Sequence, residues 1–172
     1  RNLSEAGVWG SGGHFRVHDL YIRGNWDGST GQTYIPPESG TGNGITGILK
    51  EDYDFDAQGG VLQLISATRT FIRNVWVSHG YGHDIKIYRH GYGEISGGRT
   101  FATRGSGIWI DCPSASDAFT STPIHDQGFE TCRGQYGGLY VYHMWGSSVN
   151  NCIFEGQPYG IYMKESGDVD TS

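Results

Sequence analysis

An all-β fold is what this sequence predicts, on three observations. Gly supplies 29 of the 172 residues, well over twice the usual share of about 7%. Ile outnumbers Leu by 14 to 6, Ala is held to 6 and Tyr reaches 11, a balance that favours pleated backbone over helix. Short alternating apolar segments recur about every twenty to thirty residues.

The first set of segments is Gly60-Val61-Leu62-Gln63-Leu64, Asp84-Ile85-Lys86-Ile87-Tyr88, Gly107-Ile108-Trp109-Ile110-Asp111, Gly138-Leu139-Tyr140-Val141-Tyr142 and Gly160-Ile161-Tyr162-Met163-Lys164. Between them lies a second set, His18-Asp19-Leu20-Tyr21-Ile22, Arg73-Asn74-Val75-Trp76-Val77 and Asn150-Asn151-Cys152-Ile153-Phe154. Asp19, Asn74 and Asn151 suit turns, because Asp and Asn tolerate left-handed backbone and their side chains bond neighbouring amides. A hairpin meander needs tight turns of the Asn-Gly kind, and Asn43-Gly44 is the only such pair. Stacked coils explain the recurrence better. One coil cannot cover its own apolar face, so each strand pairs in parallel with its equivalent one turn away.

The balance of 12 basic against 18 acidic side chains, net −6, argues against a nucleic-acid partner. No apolar run reaches the roughly 20 residues that span a bilayer, so membrane insertion is not expected. Cys112, Cys132 and Cys152 are evenly spaced and odd in number, which favours three buried thiols over a disulfide framework. The chain reads as one domain over residues 1–172, a fragment of something longer. Two stretches read as loop insertions, near 24–44 and 112–127, rich in Gly, Ser, Thr and Pro.

Alternation sorts the first set into faces. Ile85, Ile87, Ile108, Ile110, Leu139, Val141, Ile161 and Met163 point inward. Gln63, Lys86, Tyr88, Trp109, Asp111, Tyr140, Tyr142, Tyr162 and Lys164 point outward and form an aromatic and polar column. Tyr and Trp faces suit stacking on sugar rings, so Tyr88, Trp109, Tyr140, Tyr142, Tyr162 and Lys164 are the candidate substrate-binding residues. Two of only three Lys in the chain, Lys86 and Lys164, fall in the column, which suits an acidic polysaccharide.

Two cleavage chemistries remain open. Hydrolysis needs a pair of carboxyl groups across the glycosidic bond; Asp111 is the best-placed acid, with Glu94, Glu155 or Glu165 as partner. Elimination needs a cation against the uronate carboxylate, a base for the adjacent proton and an acid for the leaving oxygen, roles open to Lys86, Arg89, Tyr142, His143 and Lys164. The candidate catalytic set is Asp111, Lys86, His143 and Glu165. No cofactor or metal is expected: the histidines His79, His83 and His90 lack a metal-site spacing, and the run from Glu51 to Asp56 lacks that of a calcium loop.

These Gly-Ile-x-Ile strands, the Asn or Asp before the second strand and the aromatic-rich composition resemble the pectate-lyase-like right-handed parallel β-helices, including bacteriophage tailspike and capsule-depolymerase domains, over roughly residues 15 to 165. The resemblance implies a right-handed parallel β-helix, a solenoid. It also implies a depolymerase of a bacterial surface or extracellular glycan, with elimination placed ahead of hydrolysis. The setting would be extracellular or a virion tail, with room for a homotrimer. A noncatalytic glycan-binding adhesin and a structural tailspike shaft are the competing readings.

Overall fold

The computed structural model describes residues 8–11, 13–24, 60–80, 82–112, 119–134 and 136–164. Among these the chain is all-β. Its strands, in order, are β1 (Val8–Ser11), β2 (His14–Arg23), β3 (Gly60–Ser78), β4 (His83–Ser96), β5 (Arg99–Phe101), β6 (Ile108–Asp111) and β7 (Phe119–Thr120). They continue with β8 (Ile124–His125), β9 (Gly128–Glu130), β10 (Leu139–Tyr142), β11 (Met144–Trp145), β12 (Val149–Asn150), β13 (Ile153–Glu155) and β14 (Ile161–Lys164).

Twelve of the strands form one sheet along the path β13-β9-β5-β3-β4-β6-β10-β14, with β1 and β2 on β3, and β8 joining β4 to β12. Every pair in it is parallel, and β7 pairs with β11 in parallel beside it. The right-handed parallel β-helix expected from the sequence is corrected by this architecture: the stacked parallel strands make a curled half-barrel and not a clear solenoid. The reason lies in strand length. β3 runs for 19 residues and β4 for 14, where the sequence reading placed separate short strands with turns between them. The stretch Ile65-Ser66-Ala67-Thr68-Arg69-Thr70-Phe71-Ile72 holds no Gly, Pro, Asn or Asp to break β3.

Aligned left-handed residues bend the sheet, inside β2 and β3 at Asp19 and Asn74 and directly after β4, β8 and β12 at Gly97, Asp126 and Asn151. Asp19, Asn74, Gly97, Asp126 and Asn151 take φ of 52°, 52°, 64°, 54° and 49°, at matching positions of neighbouring strands. A second row, His79, Ala102, Thr131 and Gly156, follows the ends of β3, β5, β9 and β13, and a third is made by Arg89 inside β4 and His143 directly after β10. Each row turns all its strands at the same height, which curls the sheet as a whole. At Gly97 the absent Cβ removes the cost of φ > 0; the Asn and Asp positions offset it with side-chain bonds, Asn74 to Asp19 at 2.8 Å and Asn151 to Asp126.

Two in-register columns fill the concave core. One is Leu62, Ile85, Ile108 and Leu139, the other Leu64, Ile87, Ile110 and Val141, and all eight are buried. Ile161 and Met163 continue these columns on β14 yet are exposed, contrary to the inward assignment, because β14 has no further strand against its outer edge among the described residues. Beyond the Arg89 bend the core continues as Val17, Ile72, Ile95, Ile124 and Val149, with Phe129 stacked on Phe154 at 4.7 Å. Residues 112–127, read as a loop, contain β7 and β8; residues 25–44 and 113–118 lie outside the described residues.

Candidate functional site

The parallel register divides the predicted column into two. Gln63, Lys86, Trp109, Tyr140 and Tyr162 form one row; Tyr88, Asp111, Tyr142 and Lys164 form the next, two residues further along each strand. Neighbouring members of a row sit one strand spacing apart, about 4.8 Å.

The first row is largely covered. Trp109 and Tyr140 are 0% and 2% exposed and Lys86 is 7% exposed, so Trp109 and Tyr140 are not the open sugar platform that alternation suggested. Their rings stack at 3.7 Å; His83 stacks on the far side of Trp109 at 4.5 Å, and Tyr136, from the turn before β10, leans on Trp109, Tyr140 and Tyr162. Strand periodicity assigns a side chain to a face but does not say what covers that face. Tyr162, at the outer end, and Tyr136 are half-buried and bring this stack to the surface.

The second row is the candidate site. Tyr88, Asp111 and Tyr142 are half-buried and Lys164 is exposed. The Lys164 ammonium stands 5.1 Å from the centre of the Tyr142 ring, and the Arg89 guanidinium stands 5.3 Å from that of Tyr88. Both ends of the row thus pair a cation with an aromatic face, with Asp111 between the two tyrosines. His143, directly after β10, stacks on Tyr142 at 4.2 Å. Its left-handed φ of 57° turns the ring back toward β6, where Nδ1–H donates to the Cys112 carbonyl at 2.5 Å. That bond fixes the tautomer, leaving Nε2 as the lone-pair nitrogen. Nε2 is buried and has no hydrogen-bond partner.

The structure therefore brings Asp111, His143, Tyr88, Tyr142 and Lys164 together and sets Lys86 among covered residues one row away. Glu165 lies outside the described residues. Neither of the other carboxyl partners for Asp111 joins the row: Glu94 lies beyond the left-handed Arg89 of β4, bonded to Arg73 at 2.5 Å, and Glu155 pairs in register with Glu130 on β9.

Two features escaped sequence reasoning. One is a buried polar cluster at the start of β4, where Asp84 Oδ1 accepts the Gly80 amide at 3.0 Å. Burial pushes the Asp84 carboxyl well above its ordinary range, against smaller opposing effects from the Gly80 and Phe101 amides and the Thr103 hydroxyl. The other is an arginine and aromatic face on β2, β3 and β4, whose sequence signal was the i, i+2 spacing of Arg69, Phe71 and Arg73. No protein-family model, curated protein or solved structure matches the chain.

Proposed function

We propose that the row Tyr88, Asp111, Tyr142 and Lys164, with His143, binds an acidic polysaccharide and cleaves it by elimination. The observation that carries this reading is the convergence on Tyr142: a lysine over one ring and a tautomer-fixed imidazole stacked beside it. With the β-helix set aside, the reading rests on these side chains rather than on architecture.

In the reaction, Lys164 pairs with the uronate carboxylate and so acidifies the proton on the adjacent ring carbon. His143 Nε2 takes that proton, the electron pair forms the carbon–carbon double bond, and the bond to the glycosidic oxygen breaks. The Tyr142 phenol then supplies the leaving oxygen with its proton. Hydrolysis ranks below elimination because no second carboxylate joins Asp111 in its row among the described residues. One observation favours a second reading, noncatalytic glycan binding: His143 Nε2 is buried, so cleavage requires the substrate to displace what covers it.

Incubation with a panel of acidic and neutral bacterial polysaccharides, following ultraviolet absorbance of unsaturated uronates together with new reducing ends, tests the proposal. Both signals rising on an acidic polymer is the expected result. Reducing ends alone move the chemistry to hydrolysis at Asp111. Binding with neither signal overturns the enzyme and leaves the binding module.

A further inference from the structure

The face between the Arg89 and Asn74 bends carries a second groove. In-register pairing sets Arg16 on β2 opposite Phe71 on β3, and His18 opposite Arg73. The Arg16 and Arg73 guanidiniums lie 5.8 Å and 5.7 Å from the centre of the same Phe71 ring. Together with Val17, His18 and Asp19 they line an open groove of about 530 Å³, within the range that holds small ligands.

Two guanidiniums around one ring repel each other unless anions compensate them. Arg73 has its anion, Glu94, at 2.5 Å, and Glu94 also accepts the Ser96 hydroxyl at 2.7 Å. Asp19, which also lines the groove, already takes Asn74 on one oxygen and His18 on the other, at 2.8 Å and 3.0 Å. Arg16 has no ion pair or hydrogen bond among the described residues. It therefore presents an uncompensated planar fork of donors at the wall of an open groove, the geometry that takes a carboxylate in two parallel bonds.

We infer that this groove is a second subsite for a uronate unit, with its carboxylate on Arg16 and its ring against the edge of Phe71. The inference rests on the reading of the chain as one that handles acidic glycan. β4 connects the two places: Arg16 pairs through Phe71 with Glu94, six residues along β4 from Tyr88, and lies two strands across from it. The separation is at most about 20 Å along the strands and about 10 Å across them, so an oligosaccharide several units long can touch both.

The test uses the full chain, a hexuronate disaccharide and longer hexuronate oligomers, with the Arg Nε–Hε resonances read by NMR and affinity read by calorimetry. The disaccharide is expected to shift the Arg16 signal, and Arg16→Ala to weaken the longer oligomers roughly tenfold. Arg16→Lys, which keeps the charge and loses the fork, should recover only part of that affinity. The Arg16 shift should persist in Tyr142→Ala. An Arg16 signal that stays still while Tyr142-dependent binding remains overturns the subsite and leaves the function intact. Loss of Tyr142-dependent binding and cleavage with the Arg16 shift retained overturns the function and leaves the groove as a uronate site. An equal shift with inorganic phosphate or with a neutral disaccharide overturns uronate recognition.

Discussion

The Asn74 side-chain amide donates to the Asp19 carboxylate at 2.8 Å, and both residues hold left-handed backbone at φ 52°. The pair is one rung of the row that curls the sheet, and Asn151 with Asp126 forms another. Non-Gly residues in this conformation carry about 1–2 kcal/mol of strain, which Asn relieves through its short polar side chain. Asn74→Ala is therefore expected to lower stability by about 1 kcal/mol. Asn74→Gly should lose less, since only the side-chain bond goes. Urea midpoints should fall in the order wild type, Gly, Ala; an Ala variant as stable as Gly would mean that the backbone bend is not set here.

The same pair shows what was legible in the sequence. Asp19, Asn74 and Asn151 stood out as turn residues, and they lie at the bends. The Ile-x-Ile segments gave the in-register core of β4, β6 and β10 directly, because an alternating apolar strand can bury only one way round. The continuity of β3 is masked by its two alternating ends, which read as separate strands although the middle between them lacks any breaker. The fate of Trp109 could not be read at all: its cover comes from His83 and Tyr136, and nothing in strand periodicity links a turn residue to a ring one strand away.

Asp84 makes stability depend on pH. Its carboxyl is buried and held well above the ordinary value of 3.8, chiefly by desolvation. The folded state thus keeps a proton that the unfolded chain releases. The stabilising contribution is complete below the unfolded value and declines as pH rises toward the raised folded one, with a limiting slope of about 1.4 kcal/mol per pH unit. Asp84→Asn cannot ionise. Denaturation from pH 4 to pH 8 should show wild-type stability falling relative to Asp84→Asn, and a constant difference would place a charged Asp84 in the folded state.

Trp109 and Tyr142 should separate stability from binding. Trp109 is fully buried between His83 and Tyr140, so Trp109→Ala is expected to cost about 3–5 kcal/mol through lost packing and a residual cavity. Tyr142 is half-buried under the Lys164 ammonium, and Tyr142→Ala should cost about 1 kcal/mol while removing most glycan affinity. Paired melting and binding curves check this. A Tyr142→Ala protein that binds like wild type would remove the row from the site.

The three cysteines should react in two classes. All are free thiols; Cys112 and Cys132 are buried, and Cys152 is only partly so. Burial pushes the Cys132 thiol far up. The Cys152 thiol is also raised by burial, but its sulfur stays within reach of solvent near the sheet edge. Since the thiolate is the reactive form, a maleimide at neutral pH should modify Cys152 slowly in the folded protein and leave Cys132 untouched until denaturant is added. Mass spectrometry of tryptic peptides along a time course gives the order directly. Modification of Cys132 at the Cys152 rate would show that the Asp84 cluster opens readily, and would also remove the basis for the predicted loss of stability with rising pH.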